Sequence, residues 1–204
     1  MKYIRKLYDW VLSWAYTPYG AIALFILAFA ESSFFPIPPD VLLIALVLGA
    51  RKKAFRFALI CTIGSISGAI FGYLIGHYLW WTTGNEFSSV AGFFFSNFPG
   101  FTEEMFFRIQ QLYSHYNFWI VFAAGFTPLP YKVFTVSAGA FNINFPLFMI
   151  ASIIGRGARF FLVSALIWKY GPPIKSFIDK YFNLLAILFT ILLIGGFVLI
   201  NFLV

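Results

Sequence analysis

The stretch AESSFFPIPPDVLLIALVL, residues 30–48, is a membrane-type apolar segment broken in its middle by Pro36, Pro38 and Pro39 and carrying two acids, Glu31 and Asp40. Three prolines within four residues remove backbone donors and push the residues before them away from helical geometry. A helix arriving from Gly20 therefore stops near Phe34, and a new one starts near Asp40. Irregular backbone and carboxylates at bilayer depth are tolerated only where protein or a water-filled cavity surrounds them. The stretch predicts a re-entrant hairpin over residues 20–50, turning at Pro36, Pro38 and Pro39, with its acids placed for use.

Composition sets the solvent. Of 204 residues, 61% are hydrophobic, 23% aromatic and only 10% charged, more apolar surface than a soluble core of this size needs. The fold class expected is an all-α integral membrane protein, a single domain without linkers. The formal charge of +7 lies in short basic clusters beside apolar runs, the pattern of cytoplasmic membrane flanks rather than of a nucleic-acid face. The lone cysteine, Cys61, excludes an intrachain disulfide framework and a thiolate metal cluster, and no metal or other cofactor is expected. Residues 28–30, Ala-Phe-Ala, mimic a signal-peptidase site, but the preceding run is too long and aromatic, and the downstream chain is no soluble domain.

Working outward in chain order, residues 1–17 set Lys2, Arg5 and Lys6 against an apolar and aromatic face, as in an amphipathic helix lying in the headgroup layer. Residues 20–50 are long enough to cross a core of about 30 Å once, or to enter and return as two half-length helices. The prolines select the second. Arg51, Lys52, Lys53 and Arg56 form the strongest basic cluster. Residues 57–81 are a full span with Gly64, Gly68, Gly72 and Gly76 on one face, where another helix can approach closely. The polar stretch 82–117, with Phe93, Phe94, Phe95 and Phe98, suits the outer membrane surface. Residues 118–145 are apolar and again broken, by Pro128 and Pro130, as a second re-entrant hairpin. Residues 146–168 form a second span bearing Arg156 and Arg159, flanked by Lys169, Lys175 and Lys180, and residues 184–204 a last one. With both broken segments folded back, every basic cluster outside the spans is cytoplasmic, so the hairpins enter from opposite faces.

The two broken segments also resemble each other. Pro36-Ile37-Pro38-Pro39-Asp40 lines up with Pro128-Leu129-Pro130-Tyr131-Lys132 at an offset of about 92, and Ile63-Gly64-Ser65 with Ile154-Gly155-Arg156 at about 91. In this register Asp40 opposes Lys132. Hairpin plus span, repeated with opposite orientation, is a plan of transporters whose sites lie near the bilayer midplane.

On these residues the chain resembles a known family. The acid of Phe29-Ala30-Glu31, the turn ending Pro39-Asp40-Val41-Leu42-Leu43, the helix with Gly72-Tyr73-Leu74-Ile75-Gly76, and Phe126-Thr127-Pro128 followed by a basic residue are similar to the DedA family of bacterial membrane proteins. The same domain occurs in eukaryotic VTT-domain (SNARE-associated) scramblases. The resemblance covers residues 18–168 and implies a multi-pass protein of the bacterial inner membrane that moves a phosphate-bearing lipid, such as undecaprenyl phosphate or phosphatidylethanolamine, with Glu31 and Asp40 as its functional acids. Where typical members carry an arginine before the Phe-x-Pro, this chain has Gly125, which places it in a divergent branch.

Carrying a phosphate through hydrocarbon requires a positively biased path. Lys132, Arg156 and Arg159 are the intramembrane cations available, and the two arginines share a helix face. They are the candidate headgroup-binding residues, with Glu31 and Asp40 as candidates for proton coupling. The bland alternative is that these five charges only neutralise one another. The rival function is a small cation/proton antiporter using Glu31 and Asp40 alone. An enzyme is not expected, since His77 and His115 lie in different segments without a metal or nucleophile motif. A homo-oligomer is compatible with the sequence.

Overall fold

The computed structural model describes residues 13–14, 17–34, 37–84, 86–97, 102–127 and 129–171. Most of the expected interfacial helix (1–17), the turn prolines Pro36 and Pro128, Lys175 and Lys180, and the last expected span (184–204) lie outside them.

Prolines and caps set the helix limits. Helix α1 (Gly20–Ser33) stops three residues before Pro36, and α2 (Asp40–Gly49) starts directly after Pro39, whose φ of −69° is already helical. After a 3-10 turn at Arg51–Lys53, α3 (Ala54–Trp80) runs unbroken. Helices α4 (Ser89–Asn97) and α5 (Glu103–His115) come next. Thr102 caps α5 by accepting a hydrogen bond from the Met105 amide at 3.2 Å, with Glu103 and Glu104 favourably placed in its first turn. Helix α6 (Asn117–Phe126) ends at Thr127, which the following proline holds extended, and α7 (Tyr131–Ala140) starts directly after Pro130. Asn144 caps α8 (Phe145–Tyr170), which has Pro146 in its first turn. Among the described residues there is no strand, only an isolated bridge between Trp81 and Phe87.

Two of these helices, residues Arg51–Trp80 and Phe145–Tyr170, are long and apolar enough to cross a membrane. They run antiparallel, with Phe55 against Phe161 and Trp168, Ser65 against Arg156, and Tyr73 against Phe145 and Phe148. The four half-length helices dress this pair in a regular way. Along α3, Gly64 meets Phe25, Gly68 meets Phe29, Gly72 meets both Ser32 and Thr135, and Gly76 meets Val136. So α1 and α7 both run parallel to α3 and are stacked end to end along it. Thr135 Oγ1 closes the joint by donating to the Ser32 carbonyl at 2.9 Å. Along α8, Gly155 meets Phe122, Gly125 meets Arg156, Asp40 meets Arg159, and Gly171 meets Arg51. Here α6 and α2 run parallel to α8, again end to end. Hence α1 is antiparallel to α2, and α6 to α7: each proline turn reverses the chain.

The glycine stripe makes this possible. A Cβ at Gly68 or Gly76 would overlap the backbone carbonyl of Phe29 or Val136, so the stripe holds one half-helix from each hairpin at backbone contact. Ser33 ties the same contact by donating to the Gly68 carbonyl at 3.0 Å.

Two apolar cores result. One joins Leu24, Leu43, Val47, Cys61, Phe160 and Ile167 at the end carrying the exposed Arg51, Lys52 and Lys53. The other joins Tyr73, Phe106, Val121, Tyr131, Ile143 and Phe148 at the end covered by α5. Outside both, large apolar side chains face outward along the long helices and α1, among them Ile22, Ile26, Leu59, Ile63, Ile153 and Leu162. An exposed apolar surface that wide marks an interaction face, and membrane lipid is a surrounding that would cover it.

Candidate functional site

Helix α8 is apolar over most of its length yet places Arg156 and Arg159 on one face, 2% and 8% exposed. A buried guanidinium needs counter-charge and acceptors, and the first hairpin supplies both. Arg156 donates through Nη2 to Glu31 Oε2 in an ion pair and through Nε to Ser65 Oγ at 2.6 Å. Ser32 Oγ lies 3.4 Å from the same Nη2 and 2.6 Å from Ser65 Oγ. The rings of Tyr131 and Phe160 flank the Arg156 guanidinium at 4.8 and 4.7 Å, close enough for cation–π attraction. Tyr131 is itself fixed, donating its hydroxyl to Ser152 Oγ at 2.6 Å.

Arg159 is held more sparsely. Its Nε donates to Asp40 Oδ1 at 3.0 Å and its Nη1 to the Phe126 carbonyl at 3.3 Å. Asp40 is the first residue of α2 and Phe126 the last of α6, so Arg159 sits where the two proline turns meet. The acid at a helix start and the cation at a helix end each complement the local partial charge. Two acids and two arginines make a set of four buried charges that sums to zero.

The candidate acids and arginines thus come together, while Lys132 does not join them. The described ion pairs within 4.0 Å are Arg156–Glu31 and Arg159–Asp40, and half-buried Lys132 is in neither. The expected opposition of Asp40 and Lys132 is corrected by the helix starts. The residue directly after the last proline opens each helix, which pairs Pro39 with Pro130 and Asp40 with Tyr131. This is the 91-residue spacing that also separates Ser65 from Arg156. Of the turn prolines, Pro39 is buried, and Pro38 and Pro130 are exposed.

Ser32, Ser65, Tyr131, Ser152 and Phe160 complete the cluster, and the sequence reading did not single them out. For Ser65 a signal existed. Ser65 and Arg156 are matched positions in the repeat, and residues exchanged by a two-fold axis can touch only beside that axis. Their hydrogen bond marks where the two halves meet. Gly125 is shaped by the same cluster: a Cβ there would stand 3.3 Å from the Arg156 amide nitrogen and 3.4 Å from its Cγ, so the arginine stem occupies the space a side chain would take.

Comparison with known proteins bears on what this cluster serves. The family profile described as VTT domain matches residues 35–169. An uncharacterized protein of Haemophilus influenzae is 33% identical over 81% of this chain and 81% of its own length. One of Histophilus somni is 34% identical over 81% and 82%. One of Methanocaldococcus jannaschii is 28% identical over 69% and 79%. No solved structure matches the chain.

Proposed function

Since the chain belongs to the VTT-domain (DedA) family of transporter-like membrane proteins, we propose that it moves a phosphate-bearing lipid, a phospholipid or a polyprenyl phosphate, across the bacterial inner membrane. In this reading the two proline-bent hairpins are re-entrant from opposite faces and their tips meet near the midplane. The basic end at Arg51–Lys53 is cytoplasmic, and the aromatic end at α4 and α5 lies in the outer interface.

One observation carries the proposal: two arginines on one face of a spanning-length helix lie buried where all four half-helices converge. Arginine's planar fork suits phosphate oxygens, and intramembrane charge is costly enough to mark a pathway. Arg156 and Arg159 bias the site positively toward the headgroup, Lys132 at the start of α7 adds a third cation, and Glu31 and Asp40 balance the arginines while the site holds no anion. The tails remain in lipid along the exposed apolar belt. A cation antiporter would want its carboxylates open to a metal or proton alone, whereas both are engaged by guanidinium groups.

The test is translocation of headgroup-labelled phospholipid in liposomes. Wild-type protein is expected to accelerate it, and Arg159→Ala, correctly folded, to reduce it at least tenfold. Undiminished transport in folded Arg159→Ala, or ion flux without lipid movement, overturns the reading.

A further inference from the structure

The two buried ion pairs are held differently, and we propose that Asp40–Arg159 is the exchangeable one: an anionic headgroup replaces Asp40 on Arg159 and Asp40 takes up a proton as it leaves, while Glu31–Arg156 stays closed as a clamp. This rests on the lipid-transport reading above.

Arg156 is fixed from every side. Two rings cover its faces, and Glu31, Ser32 and Ser65 take its edge. Moving it would break its contacts with α1, α3 and α7 at once. Arg159 makes one contact with Asp40 and one with the Phe126 carbonyl, both belonging to the ends of half-helices at the proline turns. A small parting of the turns would release either contact without disturbing the long helices.

Charge balance supplies the proton. The four buried charges cancel, so a monoanion taking Asp40's place on Arg159 leaves a buried carboxylate with no partner, which is strongly unfavourable. One proton drawn from the aqueous phase onto Asp40 restores neutrality, and release of the anion returns it. The other groups near Asp40 do not substitute for that proton. Arg156 and Arg159 face it from α8, and the Cys61 thiol from α3. Tyr131 of α7 and Glu31 of α1 are engaged with Arg156, and Lys132 pairs with neither acid among the described residues.

The measurement is calorimetric titration of the full chain, in neutral-detergent micelles, with dihexanoyl phosphatidylglycerol as a singly charged probe, in two buffers of different ionisation heat. Wild-type protein is expected to take up about one proton per lipid bound, so that affinity falls about tenfold for each unit of pH rise. In Asp40→Asn the proton uptake and the pH slope vanish while binding persists. In Glu31→Gln the protein melts earlier but keeps the slope. Binding without proton uptake, or a slope lost in Glu31→Gln and kept in Asp40→Asn, overturns the exchange and leaves the transport reading standing. The wild-type proton count alone decides if Asp40→Asn does not fold. Failure of the wild type to bind overturns the exchange outright, and the liposome assay then decides whether the transport reading falls with it.

Discussion

Arg156 illustrates what a charge needs in an apolar helix bundle: an opposite charge, hydroxyls for its remaining edge, and rings over its faces. Because the pair is buried, its two members are not independent. Removing only the acid leaves an unmatched guanidinium, which costs about 3–5 kcal/mol, whereas replacing both by apolar residues of similar size is far less harmful. Unfolding of Glu31→Leu, Arg156→Leu and the double variant in detergent is therefore expected to show both single variants losing stability on that scale and the double variant recovering most of it. Additive losses would mean that the pair does not close in the folded protein. The presence of Glu31 and Arg156 in apolar segments was legible in the sequence. Their pairing was not, because it spans 125 positions and depends on how four helices meet.

At the scale of elements, prolines and glycines carry most of the legible information, since each acts through backbone chemistry that holds in any context. Pro39 and Pro130 start α2 and α7, and the pre-proline Thr127 ends α6. The glycine stripe on α3 was readable as a close-contact face, but not that two different half-helices share it, α1 on Gly64 and Gly68 and α7 on Gly76. That sharing is set by the joint between Thr135 and Ser32, which no local pattern announces. The register slip between Asp40 and Lys132 has a similar origin: three prolines against two leave the alignment ambiguous until the helix starts are known. Substitution tests the stripe directly. Gly68→Leu is expected to abolish the folded state in detergent, because its side chain would replace backbone contact with Phe29. Gly92→Ala on α4, where nothing lies within 4 Å, is expected to change stability by no more than about 1 kcal/mol. Thermal melts of both, with equal effects, would contradict the packing described.

Across the whole molecule the two halves repeat one plan: a half-helix in, a proline turn, a half-helix back, then a long helix. Each long helix carries one half-helix from either hairpin, so the halves interlock rather than sit side by side. Glu31, Asp40, Arg156 and Arg159, charges that a membrane would reject, are thereby gathered where the two long helices and the four half-helices of the hairpins meet, and matched. In the transport reading proposed above, this convergence lies midway through a bilayer and the hairpins are inserted from opposite faces. Labelling of single cysteines with a membrane-impermeant maleimide, in a Cys61→Ala background in oriented vesicles, tests that placement most directly. Cysteines at Pro18 and Lys52, which bracket the first hairpin, are expected to react from one face, and those at Tyr116 and Asn142, which bracket the second, from the other. Reaction of Pro18→Cys and Lys52→Cys from opposite faces would contradict it.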